Sequence, residues 1–117
     1  MRAPAIILLL AVPAVLHALP TEVEKVREAQ RTVSSLAIAL EMYRLDHTAY
    51  PSSTEGLDAL VKPDASPKGP YLRSKAVPLD PWGNRYSLIT SPCVGVISLG
   101  ADGKVGGDGA NADITSC

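Results

Sequence analysis

The residues of this 117-residue chain that could do chemistry gather near its C-terminal end. Asp102, Asp108, Asn111 and Asp113 fall within twelve residues of one another. Among them, Gly103, Gly106, Gly107 and Gly109 let the backbone turn so that carbonyls point inward. Hard oxygen ligands on a pliant loop suit calcium, which takes about six to eight oxygens, whereas magnesium wants a tighter octahedron. The spacing is not that of an EF-hand, because Lys104 stands where an acidic or amide ligand belongs. Nor is it a phosphate loop: Gly103-Lys104 lacks the upstream glycine and the following Ser or Thr. Residues 106–111 read Gly-Gly-Asp-Gly-Ala-Asn and echo a calcium β-roll repeat, but one copy builds no solenoid. On composition alone, a calcium loop and a flexible acidic tail stand level.

Other chemistry is poorly supported. His17 and His47 have no catalytic partners, and Ser and Asp are scattered on turns. A His47–Asp46 pair beside Tyr50 reads as hydrogen bonding at a helix end, so an enzyme is the least favoured reading. Cys93 and Cys117 lack CxxC spacing and a nearby His cluster, which argues against zinc. Lys62, Lys68, Arg73 and Lys75 surround Tyr71, and a basic patch with an aromatic can bind nucleic acid. Asp64 and Asp80 dilute that charge and the chain carries a net charge of -1, so a solvated loop and no nucleic-acid partner are expected.

The elements that must position the loop follow from periodicity. Val26, Ala29, Val33, Leu36, Leu40 and Tyr43 repeat at 3-4-3-4-3 spacing, which puts them on one helix face. No Gly or Pro interrupts residues 21–47, and Glu22 and Glu24 complement the macrodipole at the N-terminal end. The expectation is a stalk helix roughly 40 Å long. Tyr50-Pro51 ends it, since Pro51 disfavours helical backbone at the preceding residue. Ser52 to Glu55 reads as a capping box opening a short helix with Leu57, Leu60 and Val61 on its apolar face, stopped by Pro63. Residues 62–78 form a Pro-rich loop. Asp80-Pro81-Trp82-Gly83 is a turn signal. Residues 85–89 and 94–98 then read as an antiparallel pair that covers Leu36, Leu40 and Tyr43, with Trp82 sealing an edge of that core.

Residues 1–20 form a separate unit, a hydrophobic export or membrane segment in which Arg2 precedes an apolar run. Two readings are open: a secretory signal cleaved at Ala14 or Ala18, or an anchor continuous with the stalk and kinked at Pro20. Helical periodicity begins directly after Pro20 and favours the anchor. Arg2 then places the head, residues 21–117 with their stalk, on the outer face of the membrane.

The motifs assemble into a family resemblance. The long helix ends in ALEMYRLDHTAYPSSTEGLDALV, followed by YLRSKAVPLDPWGNRYSL and SLGADGKVGGDGANADITSC. Leu45-Asp46, Tyr50-Pro51, Glu55-Gly56-Leu57, Asp80-Pro81-Trp82-Gly83 and Gly100-Ala101-Asp102-Gly103 recur in the family's order. Residues 24–117 thereby resemble the major pseudopilins, the G-type subunits of the bacterial type II secretion system. The resemblance implies an α+β pilin-like fold, with a spine helix under a small antiparallel sheet and a calcium-binding C-terminal loop. It implies a structural subunit anchored in the inner membrane through residues 3–20, with its head in the periplasm. Its partners are further copies in a helical filament, the minor pseudopilins and the inner-membrane assembly platform, and the filament moves folded proteins through the outer membrane. It implies Ca2+ held by the carbonyls of Leu99 and Lys104 and the side chains of Asp102 and Asp113. Ala112 stands where the family often has a second acidic residue, leaving Asn111 or Asp108 to substitute.

Two features depart from the family. The basic leader, the processing Gly and the Phe-Thr-Leu-Ile-Glu stretch are absent, so either the true start lies upstream or peptidase processing is lost. In the latter case the chain is a soluble exported calcium-binding head that caps or regulates the filament. A type IV pilin-like role in adhesion or DNA uptake fits the calcium loop less well. The other departure is Cys93 and Cys117, the second standing where the family usually has Trp. In an exported head these two are expected to form a disulfide pinning the C-terminus to the strand turn.

Overall fold

The computed structural model describes residues 19–63 and 70–117. The expected export segment lies outside these residues except for Leu19 and Pro20. The stalk is a 26-residue helix, α1 (Glu22–His47). Its start is fixed by a capping box that sequence reading did not identify. The Thr21 hydroxyl accepts the Glu24 N–H at 3.1 Å, and the Glu24 carboxylate accepts the Thr21 N–H at 3.3 Å. Two of the N–H groups that a helix leaves without intrahelical partners are thus satisfied. Thr21 is extended (φ -82, ψ 165), so α1 starts at Glu22. At the other end Thr48 adopts the left-handed conformation, φ 59, and stops the helix two residues before Tyr50.

The apolar stripe of α1 does what its spacing predicts. Ala29, Val33, Leu36 and Leu40 are buried, as is Ala39 beside them, and Val26 and Tyr43 are half-buried. Val33, Leu36, Ala39 and Leu40 form one core with Leu57, Leu60, Tyr86 and Val96. Each large aliphatic side chain in it contributes about 1.5–3 kcal/mol through removal from water. At the C-terminal end, Tyr43 stacks on His47 with centroids 3.9 Å apart, and Tyr71 meets Tyr43 edge-on at 5.6 Å. The His47 Nδ1–H donates to the Tyr43 carbonyl at 3.1 Å, and the Tyr71 hydroxyl donates to Asp46 at 2.8 Å.

The short second helix is a 3₁₀ turn, η1 (Gly56–Val61), and its expected capping box is only half made. The Ser52 hydroxyl accepts the Glu55 N–H at 3.2 Å, but the Glu55 carboxylate pairs with Lys62 instead of returning to Ser52. Gly56 lies at φ 57, which interrupts right-handed helix and leaves room for only a tight turn. Leu57, Ala59 and Leu60 nevertheless bury against α1.

The sheet has three strands in the order β1-β2-β3: β1 (Ser87–Ile89), β2 (Gly95–Ser98) and β3 (Ile114–Thr115). Both pairings are antiparallel, with Leu88 opposite Val96 and Ile97 opposite Thr115. The expected pair is present in shortened form, and Arg85 makes only an isolated bridge to Leu79. The third strand falls within the stretch read as loop. Two residues carry no alternation for a sequence pattern to detect. The β1–β2 connection contains a cis Ser91-Pro92 bond. Trp82 does not belong to the core. It is half-buried, and its indole N–H donates to Glu22 at 2.8 Å, tying the turn to the start of α1.

Candidate functional site

The oxygen-rich loop connects β2 to β3. Its base is built on Ser98 and Asp80, both buried. Asp80 Oδ1 accepts the N–H groups of Trp82 at 3.1 Å and Asn84 at 2.8 Å, which closes the Asp-Pro-Trp-Gly turn. Asp80 Oδ2 accepts the Ser98 hydroxyl hydrogen at 2.9 Å, and Ser98 Oγ in turn accepts the Gly100 N–H at 3.2 Å. One carboxylate therefore couples the turn at residues 80–84 to the first residues of the loop. Sequence reading gave Asp80 a role in the turn and missed Ser98. The available signal was the Asp at the first turn position, whose second oxygen needs a donor once buried. The link to α1 also perturbs Glu22: the Trp82 indole N–H holds its carboxyl below the usual range.

The loop folds back on itself. The Ala101 N–H donates to the Ala110 carbonyl at 2.8 Å. Gly100 has φ +78, and a Cβ there would lie 2.7 Å from the Ala112 carbonyl oxygen and 2.8 Å from that of Ala110. Only glycine permits both the backbone conformation and this approach. A second 3₁₀ turn, η2 (Gly109–Asn111), returns the chain toward β3. At its end, Asp113 Oδ2 accepts the Gly106 N–H at 3.0 Å. The opposite oxygen, Asp113 Oδ1, is buried and has no hydrogen-bond partner among the described residues.

The expected ligands are distributed unevenly. Leu99 and Asp113 are half-buried, whereas Asp102, Lys104, Asp108 and Asn111 are exposed. Asp113 is brought beside Gly106, and Asn111 beside Gly107, where a Cβ would lie 2.5 Å from the Asn111 carbonyl oxygen. Asp102 instead receives the Lys104 N–H at 3.0 Å, a local turn contact. Among the described residues no three His, Cys, Asp or Glu side chains converge. A cation here would thus draw on carbonyls and an amide as well as on carboxylates. The unpaired oxygen of Asp113 fits such a group, because a buried carboxylate oxygen without a partner is costly and a cation offsets that cost.

Cys93 and Cys117 form the expected disulfide, with Cα atoms 5.9 Å apart and 24 residues of sequence separation. The bridge lies against Gly95, where a Cβ would sit 3.0 Å from Cys117 Sγ and 2.4 Å from Ser116 Oγ. The ring it closes contains β2, the whole loop and β3.

The comparisons with known proteins agree with this arrangement. The family model described as type II secretion system (T2SS), protein G, matches residues 19–117. The core protein G of Pseudomonas aeruginosa is 46% identical over 100 residues, covering 77% of this chain and 69% of that protein. Its counterpart in Vibrio cholerae is 39% identical over 97 residues, covering 75% of this chain and 65% of that protein. The chain thus spans about two thirds of the length of these relatives. In three dimensions it resembles the major pseudopilin from the type 2 secretion system of enterohaemorrhagic Escherichia coli. That match has a TM-score of 0.60 and 29% identity, covering 79% of this chain and 85% of the other. A spine helix under a three-stranded sheet, the ordered motifs around it and a family match spanning residues 19–117 lead to one conclusion: the chain belongs to the protein G family of the type II secretion system, a family of structural pseudopilins.

Proposed function

We propose that this chain is a filament-forming subunit of a type II secretion pseudopilus, polymerising through its N-terminal helix and thereby driving export across the outer membrane. Family membership carries the assignment, and one feature of α1 supports self-association. The helix is apolar on two sides. One stripe is buried under the sheet, while Ile38, Met42 and Leu45 on the opposite side are 64%, 51% and 68% exposed. Their 4-3 spacing matches the seam that a second helix packs against. Residues 3–20, of which Leu19 and Pro20 alone lie in the described part, supply the inner-membrane anchor, and the head stands in the periplasm. The minor pseudopilins and the inner-membrane assembly platform are the further partners. Among the described residues no helix is long and apolar enough to cross a membrane.

In this reading the β2–β3 loop binds calcium. The carbonyls of Leu99 and Lys104 and the side chains of Asp102, Asn111 and Asp113 hold the ion, with Asp108 as a further donor. When bound, calcium would neutralise the carboxylates that reach it and fasten the loop. Asp113 Oδ1 is the observation that favours it.

Filament assembly tests the first claim. Ile38→Glu combined with Leu45→Glu is expected to abolish filaments and secretion while leaving the thermal midpoint within a few degrees of wild type. Intact filaments would refute the helix-face contact. Thermal unfolding tests the second. A ligand that binds only the folded state stabilises it by about 2.7 kcal/mol at 100-fold excess over Kd. Calcium is expected to raise the midpoint, and Asp102→Ala to remove that rise. No shift on adding calcium or chelator to the wild type would remove calcium from the mechanism.

A further inference from the structure

The loop and the disulfide occupy the same short segment. Asp113 is followed at once by β3, and β3 is followed two residues later by Cys117. What holds this segment down is slight. β3 pairs over two residues, the Ser116 N–H donates to the Val96 carbonyl at 3.0 Å, and Ser116 Oγ accepts the Val96 N–H at 2.9 Å. Ile114 is only half-buried, and residues 115–117 are exposed. Net contributions of about 1 kcal/mol for each such hydrogen bond leave the segment prone to local opening. Beyond these bonds, Ile114 packs against the core, and the disulfide is the covalent tether.

Opening the segment has a direct consequence for the loop. If β3 detaches, Asp113 leaves with it. The loop then loses the carboxylate that accepts the Gly106 N–H and carries the unpaired buried oxygen. Its return requires reordering a strand, two 3₁₀ hydrogen bonds of η2 and the turn at Gly106-Gly107. A bridge that forbids detachment spares the cation that ordering cost, which is pre-organisation in the sense used for binding sites. Both cysteines are exposed, so the bridge is accessible to a thiol reductant.

We infer that the Cys93–Cys117 bridge sets the divalent-cation affinity of the β2–β3 loop by holding Asp113 in place, so that the site is linked to thiol redox state. The inference rests on the calcium reading given above. Reduction by a dithiol adds two electrons and two protons to the bridge, giving two thiols, while the dithiol becomes a disulfide. The freed segment then populates an opened state that binds no cation. Apparent affinity falls in proportion to the fraction of molecules that stay closed. Linkage makes the effect reciprocal: a bound cation must oppose reduction of the bridge by the same factor.

The test is calcium titration of the full chain in detergent by calorimetry, in the oxidised form and after dithiol reduction. The Cys93→Ser/Cys117→Ser variant serves as a control that needs no reductant. Reduction and the double substitution are each expected to weaken apparent affinity by about tenfold, within the range usual for coupled sites. Equal affinity in all three forms would overturn the coupling while leaving the calcium site standing. Absence of heat of binding in the oxidised form would overturn the calcium reading and the coupling with it. A second measurement needs no variant to fold: the equilibrium of the wild-type bridge with a dithiol–disulfide buffer, with calcium and with chelator. Calcium is expected to shift that equilibrium toward the bridge by the same factor. No shift would overturn the inference.

Discussion

Asp80 shows how one side chain can couple two parts of the head. Its two oxygens receive the N–H groups of Trp82 and Asn84 and the hydroxyl of Ser98. Hydrogen bonds to a charged acceptor contribute about 1.5–3 kcal/mol each, and the donors left behind here would be largely buried. Asp80→Ala is therefore expected to destabilise the head by about 3 kcal/mol or more, read from the urea midpoint. Asp80→Asn keeps one acceptor oxygen and loses the other, so a loss of roughly half that size is expected. Equal losses would mean that charge, not the number of acceptors, holds the turn. At this scale the sequence was readable for Asp80 as a turn residue, because Asp before Pro at a turn start acts locally. Its bond to Ser98, 18 positions away, depends on β2 passing beneath the turn, which no local pattern encodes.

The elements were readable in proportion to their length. α1 spans 26 residues, and its stripe repeats often enough to fix both its identity and its buried face. β3 has two residues and leaves no period to read. The two capping boxes separate in an instructive way. Ser52-x-x-Glu55 matches the pattern, yet Gly56 at φ 57 and the pull of Lys62 on Glu55 leave it half made. Thr21-x-x-Glu24 is complete. Thr21→Ala is expected to cost about 1 kcal/mol and to fray the first turn of α1, seen as faster amide exchange at Glu24 and Lys25. Ser52→Ala removes the single capping contact made there, which has no reciprocal contact to reinforce it, and should cost less. If both cost the same, the reciprocal Glu24 contact contributes nothing.

For the whole molecule, the long-range ties predict the pH profile of stability. Glu22 and Glu41 are held below their ordinary 4.5, chiefly by the Trp82 indole N–H and the Tyr50 hydroxyl respectively. Carboxylates with lowered values stabilise the fold above the ordinary range, and that contribution fades as pH falls through the lowered values. Both are exposed, so this acid limb is shallow. Tyr71 acts at the other end. Burial, reinforced by its bond to Asp46, raises it from 10.0 to about 12. The unfolded chain then releases this proton first, so stability is unchanged up to 10.0 and falls between there and about 12. Tyr50 and Tyr86 are raised as well, so urea midpoints across pH 9 to 12 should show this decline and Tyr71→Phe should lessen it without removing it. A decline of the same size in the variant would assign it to another tyrosine.

The sequence by itself determined the spine helix and its buried face, the turn at residues 80–83, the β1–β2 pair and the family. Each is written in a local spacing or an ordered set of motifs, because helix period, turn conformation and strand alternation are properties of neighbours along the chain. It also supplied the loop's ligand types, since oxygen donors and glycines are recognisable without coordinates. Only the tertiary structure decided that β3 returns beside β2, that Asp80 supports Ser98 and that Trp82 reaches Glu22. Only there does Asp113 hold an unpaired buried oxygen four residues before a disulfide. These contacts join residues far apart in the chain. Burial is set by what packs above them, and packing exists only once the whole head has closed.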